Sequence, residues 1–136
     1  MSDEATLKFA HSYPGDAAPA DMTAPHALVA RAAYDAVATD GVTIPDTTDD
    51  GETLAVDLGD ITGEITAFVL TNRTGQELVV SLNGDTNTWN MPSGATLAYA
   101  TPASSSEAIV SIEVTTTATQ AGDGHVDAVV FGAIET

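Results

Sequence analysis

The chain has 136 residues and no cysteine, and it sets 20 Asp and Glu against three cations, Lys8, Arg31 and Arg73, for a formal net charge of −17. This excludes disulfides and thiolate metal sites, argues against nucleic acid because phosphate binding needs a basic patch, and, with no run near about 18 apolar residues, predicts no membrane partner. Such self-repulsion is relieved where the Debye length is short, about 3 Å at 1 M salt; 13 Asp against 7 Glu, a single Lys and 20 Thr point to a concentrated saline solvent.

The first 60 residues hold 12 of the 20 carboxylates and four of the six prolines, which reads as an N-terminal arm over residues 1–52 followed by a β domain over 53–136. The opening MSDEATLKFA is acidic and lacks an apolar run, so no signal peptide is expected. Within it, Thr6 to Ala10 reads as a short strand. Residues 11–20, with Pro14, Gly15 and Pro19, read as a loop. Thr23 is placed to cap a helix over 24–38 that starts at Pro25 and closes at Asp40-Gly41. Leu28, Ala32, Ala36 and Val29, Ala33, Val37 repeat at four-residue steps, as one helix face requires. A strand is the competitor, with Val29, Arg31, Ala33 and Asp35 alternating against Leu28, Ala30, Ala32 and Tyr34; the helix propensity of Ala favours the helix. Val42 to Pro45 then leads into a solvated acidic loop, Asp46 to Glu52.

From Thr53 the period is two. Thr53 to Leu58 reads as a strand. Ile65 to Asn72 is a longer one, with Ile65, Ala67 and Val69 on one face and Thr66, Phe68 and Leu70 on the other. Apolar residues on both faces place it centrally. Asn72 to Gly75 is a turn, and Glu77 to Leu82 is expected to return as its hairpin partner. Asn83-Gly84-Asp85 turns again, Thr86 to Met91 is a short strand carrying Trp89, Pro92-Ser93-Gly94 turns, and Thr96 to Ala100 follows. After a polar loop over Pro102 to Ser106, Ala108 to Thr117 and His125 to Ile134 alternate to the end. Six or seven short strands with regular turns predict a mainly β fold, an antiparallel β-sandwich or jelly-roll-like domain carrying the arm and its short helix.

No motif for catalysis stands out, so the chain is expected not to be an enzyme and to need no cofactor. His11, His26 and His125 are far apart and lack the paired spacing of a zinc site. The acidic run Asp46, Asp49, Asp50 and Glu52, with Asp57 and Asp60 nearby, offers oxygen ligands for calcium but lacks the spacing of an EF-hand loop; no metal site is assigned to it. Trp89 and Tyr99 are candidates for stacking on a sugar ring, against the plainer reading that the one Trp packs on the core. Asn72-Arg73-Thr74 fits the glycosylation acceptor pattern.

Several segments together carry a resemblance: Leu70 to Gly75, Val80 to Gly84, Met91 to Gly94, Ile112 to Val114, Gly124 to Asp127 and Phe131 to Ala133. The chain from Ile65 to Ala133 resembles the small β-sandwich structural proteins of tailed phages and haloarchaeal tailed viruses. The resemblance implies a non-enzymatic virion protein, a capsid decoration, turret, fibre or tail component. Made in the host cytoplasm, it would have other virion proteins, above all the major capsid protein, and further copies of itself as partners. The alternative is a carbohydrate- or cell-surface-binding module built on Trp89 and Tyr99. The arm is expected to order on a neighbouring subunit, with contacts from Leu7, Phe9, Leu28, Val29, Arg31, Tyr34 and Val37. Arg31 and Arg73 are suited to bidentate pairing with carboxylates, of a partner or of the chain itself.

Overall fold

The computed structural model describes residues 3–11, 26–84, 88–100 and 108–135, with side chains from residue 33 onward. Every regular element among them is a strand: β1 (Asp3–His11), β2 (His26–Tyr34), β3 (Ala36–Ala38), β4 (Val42–Ile44), β5 (Thr53–Ala55), β6 (Ile65–Arg73), β7 (Leu78–Leu82), β8 (Thr88–Met91), β9 (Thr96–Ala100), β10 (Ile112–Thr116) and β11 (Gly124–Gly132). Of the loop expected over residues 11–20, His11 belongs to β1 and 12–20 lie outside the described residues, as does the loop expected over 102–106.

β5, β10, β7 and β8 form a four-stranded antiparallel sheet, and β3, β11, β6 and β9 form a second, with β4 also pairing on β11. The two sheets pack face to face. Phe68, Leu70, Val126 and Val130 of one and Leu78, Val80, Ile112 and Val114 of the other share one core, each at most 1% exposed. Strict alternation explains this: β10 and β11 bury every second residue, as a half-buried strand must. Fully burying one such side chain is worth about 1.5–3 kcal/mol.

Three expectations are corrected by the pairing. The helix expected over 24–38 is not found among the described residues, where 26–38 hold β2 and β3. Four-residue steps are also even steps, so Leu28 and Ala32 satisfy a strand face as well as a helix face. The contest is decided by pairing, because β1 supplies nine antiparallel partners, from Asp3↔Tyr34 to His11↔His26, and an isolated short helix is marginal in water. Second, the sandwich takes in residues assigned to the arm: β3 and β4 hydrogen-bond β11, and Ala38 and Ile44 belong to its core. Gly41 lets both short strands reach β11, for its φ is +63° and a Cβ there would stand 2.0 Å from the Val126 carbonyl oxygen.

Third, β6 and β7 are not a hairpin. β6 lies in one sheet and β7 in the other, so the Asn72 to Gly75 turn is a corner between layers. From β4 onward the chain stays in one sheet only at the β7–β8 turn, where Asn83 and Gly84 both take positive φ, 59° and 66°. β6 also departs from simple alternation. The register with β11 shifts between Phe131 and Gly132, a bulge that re-phases the strand. Ile65 thereby joins Phe68 and Leu70 in the core instead of sharing the face of Ala67 and Val69.

Candidate functional site

The corner between the sheets is built on polar side chains. Asn72, 0% exposed, donates from Nδ2 to the carbonyls of Gln76 and Met91, each at 2.8 Å. Its Oδ1 accepts from the Thr74 amide at 3.0 Å and the Thr74 hydroxyl at 2.7 Å. Gln120, 3% exposed, donates to the Thr74 carbonyl at 2.7 Å and accepts from Gln76 Nε2 at 2.7 Å. Gln76 Oε1 in turn accepts the amides of Thr117 and Ala118. Each buried group has its partner, so the network fixes geometry instead of costing desolvation. It also settles the role of the glycosylation-like tripeptide in the folded chain: both donor hydrogens of Asn72 Nδ2 are engaged on backbone, and the side chain has no exposure to carry a glycan.

The outer face of the five-stranded sheet divides into two halves. Cross-strand register lines up four rows: Val37, Phe131, Ala67 and Ala100; Val129, Val69 and Ala98; Asp127, Thr71 and Thr96; and Thr43, His125 and Arg73. The first two rows are apolar and the last two polar. In the polar half Arg73 Nε donates to Asp127 Oδ2 in an ion pair 65% and 50% exposed. Arg73 is therefore paired within the chain, one of the two uses open to it. His125 stands between Thr43 Oγ1, 3.1 Å from Nδ1, and Asp127 Oδ1, 3.6 Å from Nε2. The trio has the residue types of a nucleophile, a base and an orienting acid. However, His125 and Asp127 are 41% and 50% exposed and Arg73 holds the acid, so the trio lacks the water-excluding surroundings in which such groups gain their strength.

In the apolar half Val37 and Val129 are 43% and 38% exposed. Tyr34 meets Phe131 edge-on, ring centroids 4.9 Å apart. Close by, the Ala33 carbonyl accepts the Thr66 hydroxyl at 2.7 Å and the Asp35 amide donates to the Gly132 carbonyl at 2.8 Å. These contacts root the β1–β2 ribbon, and β2 packs on β6, β9 and β11.

The remaining contact candidates lie along the ribbon. Phe9 pairs with Leu28, Lys8 with Val29, Leu7 with Ala30, and Thr6 with Arg31. Alternation puts positions 5, 7, 9, 28, 30, 32 and 34 on one face and 4, 6, 8, 29, 31 and 33 on the other. Leu7, Phe9, Leu28 and Tyr34 thus share a face, while Val29 and Arg31 share the opposite one with Lys8, which sequence reasoning left out. Its signal was available only through the register, and the helix reading of 24–38 hid it.

Trp89 and Tyr99 belong to different sheets. Trp89 stands opposite Val80 on β8, the edge of the four-stranded sheet, and Tyr99 opposite Phe68 on β9, the edge of the other. They are 42% and 41% exposed, and Tyr99 stacks on Phe68 at 5.7 Å. In the acidic loop Asp46 accepts the Gly122 amide at 2.8 Å and Asp123 accepts the Asp46 amide at 2.9 Å; two carboxylates there brace backbone. Among the described residues no three His, Asp or Glu side chains gather as a metal-binding group. Comparison with protein-family models, curated proteins and solved structures gives no match.

Proposed function

We propose that the chain is a non-enzymatic structural protein of a virion, a capsid-surface decoration, turret or fibre component of a tailed virus living in high salt. Its partners are neighbouring virion subunits, chiefly the major capsid protein, and further copies of itself. The observation that supports this most is the division into a small rigid sandwich and a paired N-terminal ribbon nine residues long on each strand. Two strands alone are marginal in water, so a ribbon of this length fits a segment that is completed by a neighbour. The acidic surface fits the salt: like charges on many packed copies are tolerable where ions screen them.

Antibody against the protein, applied to density-gradient particles from a producing culture, tests the reading. Regular gold labelling of particles supports it, and protein found only in the particle-free fraction refutes it. A second reading, a carbohydrate- or cell-surface-binding module, is favoured by the half-exposed Trp89 and Tyr99. Under that reading Trp89→Ala removes glycan binding and leaves the fold; an intact protein that binds nothing on a glycan array removes the reading.

A further inference from the structure

The charge of this chain is unevenly placed. Residues 35–136 hold 16 of the 20 carboxylates and one of the three cations, a net charge of −15. Positions 5–11 and 26–32 of the ribbon hold no carboxylate and the other two cations, Lys8 and Arg31. With 20 carboxylates in 136 residues, about two are expected in any 14 by even spread. The register puts Lys8 and Arg31 on a single ribbon face, with Thr6 and Val29 between them. The connecting residues 12–25 carry Asp16 and Asp21, and the root end of β1 carries Asp3 and Glu4, the latter on the same face, so the positive patch belongs to the distal strand positions and not to the arm as a whole.

Tyr34 lies on the opposite ribbon face, with the apolar positions, and its ring meets Phe131 of the sandwich.

We propose that the cation-bearing face of the β1–β2 ribbon docks on the acidic sandwich of a second copy of this chain. The partner is argued from charge complementarity: the distal ribbon positions 5–11 and 26–32, cationic and free of carboxylate beyond Asp3 and Glu4 at the root, are matched by a sandwich sequence of net charge −15, and each copy carries both halves. Without such a contact, two bodies of this charge repel at every approach; with it, opposite charges meet where the copies touch, and contacts at that range survive the salt that screens the rest. The inference rests on the assembly reading above and names its element and partner.

Lys8 is the only lysine, which gives a direct test. Full-length protein grown in ¹⁴N and ¹⁵N media is mixed at about 1 M NaCl, where the Debye length is about 3 Å. A carbodiimide then joins amines to carboxylates in contact. Bridges of mixed isotope from Lys8 to Asp or Glu of residues 35–135 are expected. Bridges of single isotope alone would show that the cations serve their own sandwich and would overturn the inference. In sedimentation equilibrium the wild type is expected to associate, and the double variant Lys8→Glu, Arg31→Glu to dissociate at least about tenfold more readily, one decade for each 1.4 kcal/mol lost, with its Trp89 environment unchanged by near-UV circular dichroism. A wild type that stays monomeric up to about 0.5 mM, or a variant that associates as tightly, overturns it. A monomer that still decorates particles would sink this inference and leave the virion reading standing; a self-associating protein absent from particles would do the reverse.

Discussion

The ribbon and the sandwich are built from the same extended backbone under opposite constraints. In the sandwich every strand turns one face to a shared core, and the pairing is over-determined by burial. Phe68 is 1% exposed between Val130 and Tyr99 in its row, and one register slip would turn it outward. In the ribbon, register rests on pairing along nine positions and on a root at Ala33, Tyr34 and Asp35. The charges divide the same way, −15 on residues 35–136 against two cations and no carboxylate on the distal ribbon positions. The difference teaches that the sandwich carries the burial that fixes a fold, while under the proposed docking the ribbon carries recognition. A core tolerates any surface charge that salt can screen, and a contact element cannot share that charge with the surface it meets.

The largest effect expected is in the core. Phe68→Ala should cost about 3–5 kcal/mol, read as a lower midpoint in urea unfolding. A loss below about 1 kcal/mol would mean the sandwich is not the stable unit of the pair. Next comes the corner. Asn72→Ala strands the Met91 carbonyl and the Thr74 amide, the Gln76 carbonyl keeping the Thr74 hydroxyl at 3.2 Å, so a loss of about 2–6 kcal/mol is expected, from about one to three for each buried group left without a partner. Thermal unfolding of this variant beside Asn83→Gly, which removes the bonds of an exposed side chain and keeps the positive φ, checks that burial and not hydrogen bonding alone sets the size. Gly124→Ala comes third. A Cβ there would lie 2.7 Å from Gln120 Nε2 and 2.8 Å from Thr74 Cα, and this overpacking should cost about 1–3 kcal/mol. The smallest effect belongs to the exposed pair: Arg73→Ala should change stability by less than about 0.5 kcal/mol, since surface ion pairs contribute little. A large loss there would show that the polar half of the outer face is part of the stable body.

The mainly β class and most strand positions were legible, but their partners were not. Alternation from Ile65 onward and the turns at Asn83-Gly84 and Pro92-Gly94 are local facts, and β9 occupies the span its residues predicted. β10 is shorter than its alternation, because residues 108–111 are held otherwise: Asn83 bonds the Ala108 carbonyl and the Val110 amide, and Ile65 bridges Ile109. Nothing in 108–117 announces that clamp, which comes from a side chain 25 residues away. Asn72 shows the same limit at the corner. As a tripeptide it suggests a modification; in three dimensions its amide is consumed by two carbonyls.

What was written into the order of residues is what depends on neighbours along the chain. Successive side chains of a strand point to opposite sides, so period-two apolarity declares a layered β body; a surplus of carboxylates declares a strongly negative surface. What awaited the folded form is what depends on distant neighbours. The fate of residues 26–34 turned on whether β1 was present to pair with them, the Asn72 to Gly75 turn became a change of layer because β7 found β10 and β8 rather than β6, and Lys8 and Arg31 came to one face through a register that spans 23 positions. Helix propensities differ by only about 0.7 kcal/mol per ordinary residue. Cross-strand pairing and burial outweigh that because they act on every position at once, and they exist only after the chain has closed on itself.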